Sequence, residues 1–414
     1  IENYATYYDI HYPNEERRAG RPLRVSPAYG RLAALGASFG EKSGWERANW
    51  FEPNAAAGDE ALRPRGWAGR HWSPAIAAEA RATRTTAALF DETSFAKIEV
   101  AGPGTCAALQ RLCANDVDVP VGRIVYTQLL NRRGGIVCDL TVTRSGPEQF
   151  VLVTGTAFGN HDLGWIRDQT AGDDGVLVSD ITSELVCFGL WGPQARDILG
   201  SVTHDDISDD GFPYLSARRI AVGHVPVFAL RVTYVGELGW ELYAGMEYGP
   251  ALWDTLWAAG RPHGLVAGGY RAIDALRLEK GYRVWSSDIT PDETPFEAGL
   301  GFAVALDKGV DFIGREALIA AKAAGPRKRL RCLVLDDPRS VCLGNEPVRI
   351  GGEIVGRVTS GGYGYAVERS IAYAYLPPDA PIGTRGEIDV FGEWIGFEVM
   401  REPLWDPANE RTRS

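Results

Sequence analysis

Asp139 is the residue of this chain best placed to do chemistry. It follows Gly134-Gly135 in the run YTQLLNRRGGIVCDLTVTR, from Tyr126 to Arg144, whose apolar and β-branched residues read as the two strands of a hairpin. The two glycines are expected to supply the positive φ angles of a tight turn. Asp139 then lies among Ile136, Val137, Leu140 and Val142. A carboxylate in such company is costly to desolvate unless it is paired, turned to water or used. A second pattern, VTYVGELGWELY from Val232 to Tyr243, has Gly236 and Gly239 bracketing a turn. Tyr234 and Glu241 are therefore expected on opposing strands, offering a phenol and a carboxylate to one ligand. The competing readings are a strand-edge Asp139 facing water, an exposed cross-strand ion pair for Glu241 and an ordinary core tyrosine for Tyr234.

Shifts of pattern mark the elements that must carry these residues. Residues 1–75 read as an irregular connector rich in Arg, Tyr and Trp. Residues 76–183 form a first α+β section, opened by an alanine-rich helix and containing the amphipathic CAALQRLCAND. Residues 184–306 form a second, with the strand RIAVGHVPVFALRVTYV, the helix YGPALWDTLWAAG, and the helix AIDALRLEKG ended by Gly281. A helical link, 307–327, leads to short strands with Gly turns over 328–414, which suggest a β-barrel or jelly roll. GGYGYAV near Gly361 reads as a turn between strands.

A formal net charge of -11 disfavours nucleic acid, which needs clustered Lys and Arg. No apolar run approaches the roughly 20 residues of a membrane span, and no signal peptide precedes Ile1, which argues for the cytoplasm. The six cysteines show no CxxC or other metal-ligand spacing and are expected to be reduced and mostly buried, so no metal is assigned. Strand alternation points Cys138 away from Asp139, toward the core. The six histidines are scattered, and His161 and His224 read as structural.

Six collinear segments carry a family resemblance: LFDETSFAKIEVAGPG, GGIVCDL, LWGPQARDIL, YVGELGWE, AIDALRLEKGYRVWSSDITPDETPFEAGLGFAV and GRVTSGGYGYAVERSIAYAYLP. Together they resemble the glycine cleavage T-protein (aminomethyltransferase) family, and within it the C-terminal folate-binding part of FAD-dependent dimethylglycine and sarcosine dehydrogenases and oxidases. The resemblance implies an α+β fold of three modules around a central folate channel, ending in a β-barrel module. The opening stretch from Tyr7 to Phe51 is similar to the segment joining the FAD and folate domains of those dehydrogenases, a segment taken to be missing from stand-alone T-proteins. No GxGxxG element for a flavin pyrophosphate is present. The chain begins at Ile1 in what reads as the end of a helix. The expectation is the C-terminal part of a larger flavoenzyme, or a subunit whose FAD partner is another chain.

By this resemblance the cofactors are tetrahydrofolate and an FAD held elsewhere, and the substrate is a small N-methyl amine. Glu241 would accept the ring N–H and exocyclic amine of the pterin, a donor pair one carboxylate can take bidentately. Tyr234 would contact the same ring. Asp139 aligns with the catalytic aspartate of the pattern GGI-x-x-D-L, beside the nitrogens that capture formaldehyde or an iminium carbon as 5,10-methylenetetrahydrofolate. Two departures stand out. Ile273 occupies the place of a T-protein arginine for the folate glutamate, leaving Arg271, Arg277 or Arg283 as replacements, while Arg277 could instead pair with Asp274 or Glu279. Thr154, Gly155 and Thr156 form the bend where T-proteins carry Ser-Asn. The alternatives are a flavin-independent, folate-dependent O- or S-demethylating methyltransferase and a non-catalytic folate-binding regulatory protein.

Overall fold

The computed structural model describes residues 2–414. Ile124–Leu130 and Ile136–Gly146 form the expected hairpin, with Gln128 opposite Asp139. Its turn differs from expectation, because only Gly134, at φ +82°, has a positive angle. Asn131 does the rest: its Oδ1 accepts the backbone N–H groups of Arg133 at 2.8 Å and Gly135 at 3.1 Å. Gly135 is needed for space, since a Cβ there would stand 1.9 Å from the Pro291 carbonyl oxygen.

This hairpin heads a five-stranded antiparallel sheet in the spatial order Ile124–Leu130, Ile136–Gly146, Gln149–Thr154, Ala96–Ala101, Leu177–Asp180. A six-stranded sheet follows the order Ala217–Val222, Val225–Leu230, Gly239–Gly245, Leu185–Trp191, Ala88–Asp91, Val266–Gly268, antiparallel except for the last pair. Ala88–Asp91 thus leaves its sequence neighbours to pair with the later segment. The expected single strand RIAVGHVPVFALRVTYV is two strands folded about Gly223, whose φ is +58°. The C-terminal module is a closed six-stranded barrel, not a jelly roll. Gly361 and Gly362 lie inside its strand Glu353–Gly364, opposite Ala372 and Ile371, so the expected turn falls later. Glycine is required at 361 because a Cβ would meet the Cys342 carbonyl oxygen at 2.6 Å.

Helix ends follow local chemistry. Pro74–Thr85 starts after Ser73, whose side chain accepts from Ala75 N, with Pro74 in the first turn. Tyr270–Lys280 ends at Gly281, φ +73°, where Gly281 N bonds Leu278 O and Tyr282 N bonds Arg277 O, the two bonds of a Schellman cap. Among the described residues no helix is long and apolar enough to cross a membrane.

A buried charge network joins these pieces. Arg84 donates to Val235 O at 2.6 Å, Leu276 O at 3.2 Å, Glu237 at 3.1 Å and Glu279 at 2.7 Å. Glu279 also accepts Ala366 N from the barrel at 2.7 Å, and Glu237 accepts the Trp405 indole N–H at 2.9 Å. The side chains of Arg84, Glu237 and Glu279 are 3%, 1% and 1% exposed, so removing the cation leaves buried Glu279 without a countercharge and Glu237 with only Arg411 at 3.4 Å. Arg84→Met should therefore lower the free energy of urea unfolding by about 3–5 kcal/mol. Breaking the exposed Arg31–Asp254 pair should cost less than about 1 kcal/mol.

Candidate active site

Asp139 is half-buried on the strand Ile136–Gly146. Tyr126 lies opposite Thr141, so it is the diagonal neighbour of Asp139 on the same face, and its hydroxyl donates to Asp139 Oδ2 at 3.1 Å. Burial pushes the Asp139 carboxyl up to about 7; the Tyr126 hydrogen bond opposes this rise, and the nearby charge of Asp162 adds to it. Thr154 ends the next strand, buried, and donates to Asp162 Oδ2 at 2.6 Å. Asp162 Oδ1 pairs with His161 Nδ1 at 2.8 Å, and the imidazole lies 5.6 Å from the Trp285 ring. Cys138 points into the core, 1% exposed, as alternation requires. The fold nevertheless brings potential metal-ligand atoms of Cys138, His161 and Asp162 within 4.8 Å of one another, a trio invisible in their sequence spacing.

Tyr234 and Glu241 are not on opposing strands. Val225–Leu230 and Gly239–Gly245 pair with Leu230 opposite Glu241, and residues 231–238 form a loop. Thr233 Oγ1 shapes this loop by accepting Val235 N at 3.1 Å and Gly236 N at 3.0 Å. Tyr234 consequently belongs to the Asp139 side: its hydroxyl donates to Arg283 O at 2.7 Å, its ring stacks on Tyr282 at 5.8 Å, and its phenol feels the charges of Arg277 and Asp139. Glu241, buried opposite Gly189 of the neighbouring strand, accepts the Tyr243 hydroxyl at 2.6 Å. Burial raises its carboxyl to about 7 against the pull of Tyr243 and Lys97.

The expected cations have other employment. Arg283 donates to Glu402 at 3.0 and 2.7 Å and to Ala298 O at 3.1 Å. Arg277 pairs with Asp288 at 2.9 Å, not with Asp274 or Glu279, because Glu279 is held by Arg84. Arg271 bonds the Asn14 side chain and lines a cavity of about 230 Å³ with Asn14, Glu16, Asn49 and His71. Ile273 packs in an apolar cluster with Val235 and Tyr365. Thr156 Oγ1 lies 3.0 Å from Ser94 Oγ, which lies 3.1 Å from the Tyr270 hydroxyl. Sequence reasoning missed Tyr126 and Asp162; a tyrosine diagonal to the aspartate in the hairpin register was the available signal for the first.

The arrangement can hold and release protons near neutrality. Because Tyr126 donates to the ionised form, Tyr126→Phe should raise the Asp139 pKa further, by roughly one unit, as read from the pH dependence of its carboxyl carbon resonance. Asp139 binds its proton more tightly folded than unfolded. It therefore contributes less to stability as pH rises from about 4 through about 7, and Asp139→Asn should gain roughly 1–3 kcal/mol over the wild type at pH 8 in urea unfolding.

The GCVT N-terminal domain matches residues 28–308, the glycine cleavage T-protein C-terminal barrel domain residues 328–406, and the FAD dependent oxidoreductase central domain residues 1–26. The hairpin Ala37–Phe51 falls within the residues that the GCVT domain matches. The chain is 37% identical over 412 residues to 4-methylaminobutanoate oxidase (formaldehyde-forming) of Paenarthrobacter nicotinovorans, covering 100% of this chain and 50% of that protein. It is 37% identical over 406 residues to mitochondrial dimethylglycine dehydrogenase of Homo sapiens, covering 97% and 46%. The chain spans about half the length of these relatives. Aminomethyltransferase T of the Bartonella henselae glycine cleavage system superposes with a TM-score of 0.80 at 26% identity, over 93% of this chain and 99% of that one. With both T-protein domains matched in order and the whole fold shared, the chain belongs to the glycine cleavage T-protein (aminomethyltransferase) family.

Proposed function

We propose that this chain binds tetrahydrofolate and captures the one-carbon unit released when a flavin oxidises a small N-methyl amine, yielding 5,10-methylenetetrahydrofolate. The flavin belongs to a further domain or partner subunit. The observation that carries this reading is Asp139, held by Tyr126 and raised to about 7, on the same side as Tyr234. Similarity to a formaldehyde-forming oxidase and a dimethylglycine dehydrogenase supports the donor class.

Tetrahydrofolate, when bound, supplies the two ring-adjacent nitrogens that take up the carbon. Asp139 accepts the proton lost from the second nitrogen as its bond to carbon forms, the oxygen of formaldehyde departing as water, or the demethylated amine departing from an iminium, with a proton affinity matched to neutral pH. Tyr126 fixes which carboxylate oxygen remains free for that task. Glu241 fits the pterin as an acceptor: it is buried, it has one oxygen engaged by Tyr243, and a carboxylate so placed favours a ligand bearing N–H donors. Thr154 and Thr156 line the bend beside Asp139, whereas Arg271 and Arg283 would reach the ligand only by exchanging their present partners.

The test uses the enzyme purified with its flavin-bearing part, supplied with N-methyl amine and tetrahydrofolate, and measures free formaldehyde against folate-bound carbon. Asp139→Asn should leave the circular dichroism spectrum unchanged while transfer falls roughly 10²–10⁴-fold. Wild-type transfer should rise as pH passes through about 7, where Asp139 ionises, and the variant should lack that rise. Wild-type partitioning in the variant would refute the role of Asp139. A 5-methyltetrahydrofolate product would indicate the methyltransferase reading, and failure to bind tetrahydrofolate in calorimetry would remove the proposal altogether.

A further inference from the structure

Two charged side chains near the Glu241 strand stand out, Glu92 and, beyond it, Arg47. Glu92 is 0% exposed, yet neither of its carboxylate oxygens has a hydrogen-bond partner among the described residues. Its place is set by its backbone N–H, which bonds Cys187 O at 2.9 Å. The carboxylate stands over Gly189: a Cβ added there would meet Glu92 Oε2 at 3.0 Å, and Gly189 is the residue opposite Glu241 across the strand pair. Glu92 and Glu241 are therefore neighbouring carboxyl groups above one strand position. Leaving two buried oxygens unpaired is expensive, and folds seldom do so without a reason.

Arg47 is the second. It lies half-buried on the strand Trp45–Phe51, its backbone paired with Gly40 and its guanidinium 3.1 Å from the centre of the Tyr270 ring, and among the described residues its side chain makes no hydrogen bond or ion pair. Its charge is felt by Glu92. The other charged neighbours are engaged, Lys97 by Thr93 O at 2.7 Å and Asp91 by the Thr93 N–H at 3.0 Å. Tyr270, under Arg47, continues through Ser94 to Thr156 at the bend near Asp139.

We infer that Arg47 and Glu92 complete the ligand site around Glu241, reading the polar edge of a reduced nitrogen heterocycle: the guanidinium donates to a ring carbonyl, and Glu92 accepts an adjacent N–H. This rests on the folate reading above and adds to it the groups that recognise the ring. Burial and the neighbouring Glu241 push the Glu92 carboxyl well up, toward its neutral form, and an apolar ligand would still leave both of its oxygens without a hydrogen bond. A heterocycle presenting acceptor and donors side by side satisfies them together.

Calorimetry on the purified chain tests this with two probes, tetrahydrofolate and a tetrahydropterin lacking the aminobenzoyl-glutamate tail. Arg47→Met and Glu92→Gln should each weaken both probes by about 10- to 100-fold, the loss typical of a charge-assisted hydrogen bond, with Arg47→Lys intermediate. Thermal midpoints should hold for all three variants, since each keeps the size of the side chain it replaces. Wild-type affinity in both variants overturns the inference while the folate reading stands. Loss confined to tetrahydrofolate assigns Arg47 to the tail carboxylates and overturns ring recognition. Wild-type protein that binds neither probe refutes the folate reading itself. Should Glu92→Gln fail to fold, the two Arg47 variants decide alone.

Discussion

The Arg84 guanidinium is the constraint on which the arrangement of modules depends. A cation with almost no exposure must satisfy its donors within the protein, and Arg84 does so with groups from distant parts of the chain. One is Val235 O, in the loop that carries Tyr234. Another is Glu279, near the end of the helix Tyr270–Lys280, which in turn accepts Ala366 N from the barrel. Glu237 completes the set and is shared with Trp405 and Arg411 of the C-terminal segment. The position of Tyr234 is thus coupled to the docking of the barrel and the tail. A loop of eight residues without strand pairing, 231–238, could not fix the Tyr234 ring by its own backbone alone.

Two carboxyl groups are raised to about 7, and burial is the first cause for each. Each is moderated by a tyrosine hydroxyl, reached in different ways. Tyr126 meets Asp139 diagonally across a strand pair, whereas Tyr243 meets Glu241 two residues along one strand, on the same face. The phenol prevents burial from driving the carboxyl fully neutral, and burial prevents the phenol from holding it fully ionised. Both groups are left able to change protonation near neutral pH, a property neither environment would give alone.

The N-terminal segment is part of this construction. Glu79, 0% exposed on the helix Pro74–Thr85, accepts Phe51 N at 2.7 Å, the Asn54 side chain at 3.0 Å and Gly269 N at 2.9 Å. It therefore pins the strand Trp45–Phe51 beside the start of the helix Tyr270–Lys280, which is what lays Arg47 over Tyr270. Burial raises Glu79 to about 8, and its three donors pull against that rise. The match of the GCVT domain from residue 28 agrees with this packing, since the hairpin is fastened to the core and is no loose linker.

Local chemistry was enough to read much of the chain. Ser73-Pro74 and Gly281 mark helix ends because capping needs only neighbouring residues, and the Gly-rich C-terminal strands announce a small all-β module because turns are local. Asp139 stood out for the same reason, a lone carboxylate in an apolar strand after a turn. Tertiary structure decided the rest. Tyr126 became the partner of Asp139 only through strand register, and Tyr234 was separated from Glu241 by a threonine-capped loop that resembles a hairpin in sequence. Arg277 and Arg283 found Asp288 and Glu402. Glu92 and Glu241 meet above Gly189 although they are far apart along the chain. Periodicity and capping act over a few residues and are written into the sequence, whereas the partner of a buried charge depends on which distant elements pack together. That is settled only when the whole core closes.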